Sequence, residues 1–353
     1  MAVKIMSKYK LFFLPVLLFI IINMLGTYFY NKSVQSLQDD FKQIFWQETE
    51  KEFNSYQQSI QSDIAVLQAT ASLFHASQFV DREEFYLFVS EVIKNHPNIE
   101  AMNWIILVTD NERQEYEQNM QNKGFTGFSI HTGISNNKLI PSPEKNRYFP
   151  RQYSVASEGG AWVIGFDMSI NSEVLSTITE VMTNRTLKVS APYTLNKGLD
   201  EFRAITYLSP IYSEKVLQGF LELVVSSTDY INSEIEAQSN STNDVSMQVF
   251  DITDKTQQLV ISSVTTPSVS TASAQAFYVE KIWSLAGRKW RLEFSPTVHF
   301  LNKYEVKKND LFWLSLALNS GLLVAFLIYH ISYKKNEAEK RSALFKESQQ
   351  KLL

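Results

Sequence analysis

Hydrophobic and polar positions along the 353-residue chain fall into three regimes. Two long apolar runs carry no charge: residues 11–30 (LFFLPVLLFIIINMLGTYFY) and 311–333, of 20 and 23 residues. About 20 helical residues at 1.5 Å each cross the hydrocarbon core of a bilayer, so each run predicts a transmembrane helix. The first is longer than the apolar core of a signal peptide, and no A-x-A cleavage pattern follows it, so it reads as a retained anchor. Beyond it the sequence turns polar but keeps a helical stripe, with Phe53, Tyr56, Ile60, Ile64, Leu67, Ala71 and Phe74 three or four apart. That spacing predicts a stalk helix over 31–76 that continues the membrane helix outward. Gly26 and the polar run 47–51 are places where it can bend or shift register. A single stripe needs a partner surface, either its own domain or the same helix in a second copy.

In the third regime the periodicity mixes. Asp81-x-x-Glu84 before Phe85, Phe88, Val89 and Val92 predicts a capped amphipathic helix ending near His96-Pro97. Residues 99–108 are an apolar run of strand length, and Asp110 is placed to cap a helix that stops at Gly124. Strand-like runs follow at 125–131, 148–156 and 161–168, the last two joined by the hairpin signal Glu158-Gly159-Gly160. Asn171 caps a helix over 172–183, and runs at 187–194 and 202–211 complete a five-stranded antiparallel sheet. The texture then repeats on a smaller scale: a strand at 217–226, a helix at 228–237, and hairpins over 245–263 and 276–295, with a Ser/Thr-rich loop at 265–273 between them. The expected fold is α+β, with two tandem antiparallel sheets between two membrane helices. Its segments are a cytoplasmic N-terminus (1–10), a span (11–30), the stalk (31–76), a membrane-distal subdomain (77–215), a membrane-proximal one (216–300), a second span (311–333) and a cytoplasmic helix (334–353).

Charge fixes an orientation for this layout. The overall −4 hides a net +3 on residues 1–10 and another +3 on residues 334–353, so residues 31–310 hold −10. By the positive-inside rule both basic ends lie in the cytoplasm and residues 31–310 outside. The chain has no cysteine, so this exterior part is held by ordinary cores without disulfides, which suits the periplasm of a bacterial inner membrane. An exterior of −10 offers nucleic acid no basic surface, and that class of partner is excluded.

Catalytic patterns are missing. The histidines at 75, 96, 131, 299 and 330 show no metal-ligand spacing, and there is no G-x-S-x-G elbow or phosphate loop. Neither a metal, a cofactor nor an enzymatic activity is expected. In the tail, Ala338, Phe345 and Leu352 recur at seven residues, which fits a coiled-coil seam for a homodimer as well as a solvated basic helix beside anionic lipid.

Four blocks in a consistent order resemble the CHASE domain, an extracellular sensory module of membrane-bound histidine kinases and nucleotide cyclases. They are Asn98-Ile-Glu-Ala-Met-Asn-Trp104 with Arg113 and Glu115-Tyr116-Glu117; Tyr148-Phe149-Pro150 with Gly165-Phe166-Asp167-Met168; Val189-Ser190-Ala191-Pro192; and Leu208-Ser209-Pro210-Ile211-Tyr212. The resemblance implies a stalk helix, two PAS-like subdomains and a small-molecule pocket in the distal one. In the plant cytokinin receptors of the family an aspartate at the position of Asp167 contacts the hormone, and Val189 and Ser190 fall where a Leu-Thr pair lines the pocket. That pair differs here, so cytokinin binding does not carry over. Trp104 and Tyr207 complete the expected ligand-binding set. Asp167 also has two structural readings, starting the following helix or pairing with Arg185 or Arg203. Arg113, in an acid-rich helix, is expected to fasten helix to sheet, and Trp104 to be core or pocket wall. The function implied is a membrane sensor that binds a small ligand and passes a conformational change through the second span to a cytoplasmic output protein. The alternatives are a membrane-anchored structural partner in an envelope complex and the sensor half of a longer kinase or diguanylate cyclase.

Overall fold

The structure, a computed structural model, describes residues 2–77, 79–135, 138–157, 163–197, 200–226, 244–254, 258–262 and 277–350. The hairpin signal at 158–160, the helix at 228–237 and the loop at 265–273 lie outside the described residues. The chain divides into two compact units, residues 46–297 and residues 1–45 with 298–353.

Helix α1 (Ala2–Ala76) is one uninterrupted helix of 75 residues, with no break at Gly26 or at 47–51. Helix α2 (Arg82–Ile93) starts at the expected capping box: Asp81 accepts from Glu84 N at 2.8 Å, and the Glu84 carboxylate accepts from Asp81 N at 3.2 Å. Strand β1 (Ile99–Ile105) is buried along its whole length. After β2 (Val108–Thr109) comes α3 (Asp110–Asn122), capped by Thr109 one residue before the expected Asp110 and followed by Gly124 at φ +96°. Residues 125–130 do not form the expected strand; the hairpin β3 (His131–Ser135) and β4 (Lys138–Pro141) follows them. Then come β5 (Arg147–Tyr148) and β6 (Arg151–Ala156). Of the strand expected at 161–168, the described part makes only single bridges, Phe166 to His131 and Asp167 to Pro150, before a 3-10 turn at Met168–Ile170. Helix α4 (Ser172–Asn184) is capped by Asn171 as expected. The run 187–194 is broken at Ala191-Pro192 into β7 (Lys188–Val189) and β8 (Tyr193–Lys197), because proline cannot donate to a ladder.

Strands β9 (Asp200–Ser213) and β10 (Val216–Ser226) form a long hairpin turned by Glu214 and Lys215, at φ 50° and 71°. Two consecutive positive φ values are the two-residue turn that suits the twist of a hairpin. This corrects the strand arrangement expected from sequence. The run 217–226, taken as the first strand of the second subdomain, sits at the centre of the first sheet, whose order is β6-β1-β10-β9-β7 with β8 also on β9. The sheet therefore has six strands and is antiparallel throughout. A second sheet of four strands, in the order β12-β11-β14-β13, is built from β11 (Val245–Asp251), β12 (Gln258–Ser262), β13 (Val279–Leu285) and β14 (Arg288–Pro296).

Cross-strand partners share a face, so register sorts the first sheet into two sides. Met102, Trp104, Tyr153, Tyr207, Leu221 and Leu223 lie on one side, where Phe74 of α1 stacks on Trp104 at 4.3 Å and Phe85 of α2 meets Tyr153 at 5.7 Å. On the other side Ile105, Ala204, Leu208, Phe220 and Val224 pack with Val174, Ile178 and Val181 of α4 in one buried cluster. The second sheet alternates buried and half-buried positions and also meets α1, through Phe53 and Tyr56 against Trp283. The stripe read from the sequence is thus matched by partner surfaces within its own chain.

In the other unit, Phe41 and Phe45 of α1 pack on Phe300 of helix α5 (Val298–Gln350), at 5.4 Å in each case. Among the described residues one helix, over Val298–Lys346, is long and apolar enough to cross a membrane.

Candidate functional site

Asp167 is fully buried and caps the 3-10 turn that leads into α4. Its Oδ2 accepts from Ser142 Oγ at 2.7 Å and faces Lys145 Nζ at 2.7 Å. Its Oδ1 accepts from Phe149 N and Ser169 N, both at 3.1 Å, and from Ser169 Oγ at 2.8 Å. Burial by itself raises the pKa of this carboxyl, but the bonds from Lys145, Ser142, Ser169 and Phe149 outweigh it and hold the group below the ordinary carboxylate range. Five internal donors therefore occupy its two oxygens, and they tie together the β4–β5 segment, β5–β6 and the start of α4. Its cationic partner is Lys145, whereas Arg185 lies over the Tyr212 ring and Arg203 reaches the Leu259 carbonyl. The glycine of the same block, Gly165, stands at φ +89° with the Phe128 ring beside it. That backbone region favours glycine, which accounts for one at the approach to Asp167.

The other sequence-nominated residues do not all meet Asp167. Trp104 and Tyr207 lie on the α1 side of the sheet, and Val189, paired with Tyr207, shares that side. Ser190 is buried at the end of β7, where its Oγ accepts from Thr206 N at 3.0 Å. Arg113 does bind its helix to neighbouring segments: besides Glu117 at 2.9 Å it reaches the carbonyl of Ser142 and the hydroxyl of Tyr148, and its guanidinium lies over the Tyr148 ring.

A second group of polar side chains went unnoticed in the sequence. Glu222, at 0% exposure, projects from the middle of β10 on the α4 side. Its cross-strand neighbour Asn103 donates to Oε2 at 2.7 Å, and Arg151 Nε of β6 stands 3.5 Å from the same oxygen. Arg151 also lies over the Phe166 ring, 5.2 Å from its centre. On the other flank, Tyr193 and Thr206 share a buried hydroxyl–hydroxyl bond of 2.5 Å. Burial raises the pKa of Glu222, and the opposing pull of Arg151 and Asn103 does not cancel it. Burial, with Glu222 nearby, likewise raises that of Tyr193. The signal available in the sequence was an acid inside the apolar run Phe220-Leu-Glu-Leu-Val-Val225, matched by Asn103 inside the run 99–105. Polar residues in strands apolar on both faces are buried and need partners.

At the rim of this side an open cleft of about 440 Å³ is lined by Lys145, Arg147, Phe149, Leu175, Thr179 and Met182, among others. Phe149, Leu175 and Met182 also belong to the cluster between α4 and the sheet. The cleft therefore opens onto the layer that covers Glu222's side of the sheet, and it adjoins Asp167 through Lys145 and Ser169.

The CHASE domain model matches residues 78–261, more than half of the chain. The chain belongs to the CHASE domain family. The matched part is a sensory domain, not a catalytic one, and with the apolar helix at its C-terminal side the protein is a membrane-associated sensor. No curated protein matches the sequence. Among solved structures, the periplasmic sensory domain of the Campylobacter jejuni chemoreceptor Tlp1 is 10% identical, with 75% of this chain and 96% of that one covered at a TM-score of 0.44. The domain of a putative sensory box/GGDEF family protein from Vibrio parahaemolyticus is 10% identical, covering 76% and 99% at 0.40. The ligand-binding domain of the Pseudomonas aeruginosa amino acid chemoreceptor PctC is 9% identical, covering 69% and 94% at 0.39. Likenesses this distant add nothing to what the family match establishes.

Proposed function

We propose that the protein is a two-span receptor of a bacterial inner membrane, with residues 31–310 in the periplasm and both termini in the cytoplasm. In this reading the CHASE domain binds a small ligand in the layer between its six-stranded sheet and α4. The observation that carries the site is the polar set Glu222, Asn103, Arg151, Thr206 and Tyr193, buried on the sheet face that also carries the apolar cluster under α4. Buried polar groups cost free energy unless partnered, so a cluster of them in a core marks a place with a use beyond packing. Asp167 frames this site from its rim, and Trp104, Val189 and Tyr207 back the sheet that carries it.

Coupling to the membrane follows from continuity. The four-stranded sheet ends at Pro296, α5 begins two residues later at Val298, and the proposed second span lies within α5. A ligand moves such a helix only as far as its affinities for two arrangements differ, about 1.4 kcal/mol for each tenfold preference. The receiver is a cytoplasmic output protein, and a homodimer through the stalk or the tail helix is the assembly in which we expect it to work.

Hydrogen exchange on the full-length protein in lipid nanodiscs, with ligands found by thermal-shift screening of a metabolite library, tests the site. Protection is expected in residues 172–184 and 216–226. Protection confined to the four-stranded sheet, or a library without a single stabilising compound, counts against it.

A further inference from the structure

Among the described residues, Asp167 and Glu222 are carboxylates with no exposed surface, and their surroundings treat them differently. Asp167 has five donors for two oxygens. Glu222 has all its partners on one oxygen: Asn103 Nδ2 and Arg151 Nε both address Oε2. Among the described residues Glu222 Oε1 has no hydrogen-bond partner, and neither has Asn103 Oδ1. Turning the Asn103 amide over would not help, since it would set oxygen against carboxylate oxygen and lose the 2.7 Å bond. Two bare acceptors thus belong to one hydrogen-bonded pair of side chains at the centre of the α4 side.

Leaving a buried acceptor unmade costs about 1–3 kcal/mol, and more when the group is charged. Apolar residues at 103 and 222 would avoid that cost and match their neighbours Ile105, Phe220 and Val224 on the same face. Groups kept at such a cost and free to accept are suited to a partner that brings donors.

We infer that Glu222 Oε1 and Asn103 Oδ1 receive the N–H donors of a small cationic ligand, a primary ammonium or a guanidinium-type group. This rests on the reading of the α4 side as the ligand side. An ammonium carries three donors and a guanidinium five, and neither carries an acceptor, so both complement a pair of bare oxygens. A carboxylate or phosphate would set acceptor against acceptor beside a buried acid, and a hydroxyl supplies one donor for two oxygens. Asn103 Nδ2 and Arg151 Nε address Oε2, so the ligand's donors fall to Oε1 and Asn103 Oδ1, and the cation takes the place of the proton that burial favours on the Glu222 carboxyl.

The test is titration of the full-length protein in nanodiscs with 1,4-diaminobutane and agmatine, against succinate and 1,4-butanediol as probes of similar length without N–H donors. At least one cationic probe should bind, with affinity lowered tenfold or more in Glu222→Gln and partly kept in Glu222→Asp, while neither control binds. Asn103→Ser, which removes the amide without touching the charge, should weaken the same probe and serves if the Glu222 variants do not fold. Binding of succinate or butanediol as tight as that of the cations, an unchanged affinity in both Glu222→Gln and Asn103→Ser, or no binding of either cation overturns the inference. A library ligand that protects residues 172–184 and 216–226 independently of Glu222 would overturn it while leaving the ligand side standing; protection elsewhere would remove the ligand side itself.

Discussion

Lys145 Nζ and Asp167 Oδ2 stand 2.7 Å apart, with the carboxylate fully buried and the ammonium still partly in contact with solvent. Only one of the two ions has left water entirely, and four further donors satisfy it, so the usual penalty of a buried pair falls mainly on Asp167 and is offset there. Truncating it removes every one of those bonds. Asp167→Ala should destabilise the unit of residues 46–297 by about 3–5 kcal/mol at neutral pH, the range for losing one member of a buried pair. Denaturant unfolding followed by intrinsic fluorescence measures this.

The sign of the pH dependence follows from the lowered pKa of Asp167. A depressed carboxyl contributes stability above its ordinary pKa and loses it as pH falls through the folded value. The difference between wild type and Asp167→Asn should therefore be largest at neutral pH and shrink in acid. A gap that stays constant between pH 7 and pH 3 would mean that the charge of Asp167 is not what holds the β4–β5 segment to α4.

Glu222 should behave in the opposite sense. Its carboxyl is raised, so the folded state holds the proton that the unfolded state gives up, and stability falls as pH rises from the ordinary carboxylate range through the folded pKa. Glu222→Gln removes the ionisation, and its melting temperature relative to wild type should climb with pH across that window. Melting curves of both proteins without ligand at pH 5, 6, 7 and 8 are sufficient. A relative melting temperature that falls with pH would reverse the assignment and make the ionised form the one the fold prefers.

Trp104 and Phe74 separate packing from binding. Their rings lie 4.3 Å apart between the sheet and α1, on the side away from α4. Trp104→Ala should cost about 3–5 kcal/mol, as for other buried aromatic truncations, and Phe74→Ala, at a half-buried ring, should cost less. The double mutant should cost less than the sum of the two by about 0.5–1.5 kcal/mol, the usual coupling of an aromatic pair. The conservative Trp104→Phe should leave the affinity for any ligand on the α4 side within a factor of two or so of wild type, since one tenfold step already corresponds to about 1.4 kcal/mol. A tenfold loss of affinity in Trp104→Phe would place Trp104 in the pocket wall.

What was legible in the sequence divides by range. Local signals read well: the Asp81/Glu84 capping box, the Asn171 cap and the stripe ending at Phe74 depend on residues three or four apart. Pairing across the chain did not. Residues 216–226 follow 202–211 directly, and nothing in either run says that β10 also pairs with β1, more than a hundred positions earlier. The site was lost for the same reason. Asn103 and Glu222 are separated by 119 residues, so neither looked like half of a pair, and only the register of β1 against β10 brings them together. Asp167 stood out through its motif, but a motif does not tell a carboxylate with five internal donors from one left open to a ligand.

Gly165 offers a test of that motif that involves no charge. Its φ of +89° is a conformation that side chains resist, and a Cβ there would meet the Phe128 ring at 2.7 Å and the Ser129 carbonyl at 3.1 Å. Its amide donates to Arg151 O at 2.8 Å and its carbonyl accepts from His131 N at 3.0 Å, so the backbone cannot turn away without breaking both bonds. Gly165→Ala therefore combines backbone strain with a clash and should cost more than about 1 kcal/mol, where the same change at a compatible site would be neutral or stabilising. The cost should be felt at Asp167, two residues on, whose amide donates to the carbonyl of His131 at 2.8 Å. Amide exchange should quicken in residues 129–131 and 165–169 while α2 and the four-stranded sheet keep their protection. Uniform acceleration over the whole unit would show instead that the segment opens only by global unfolding, and that the glycine fixes the fold rather than the local frame of Asp167.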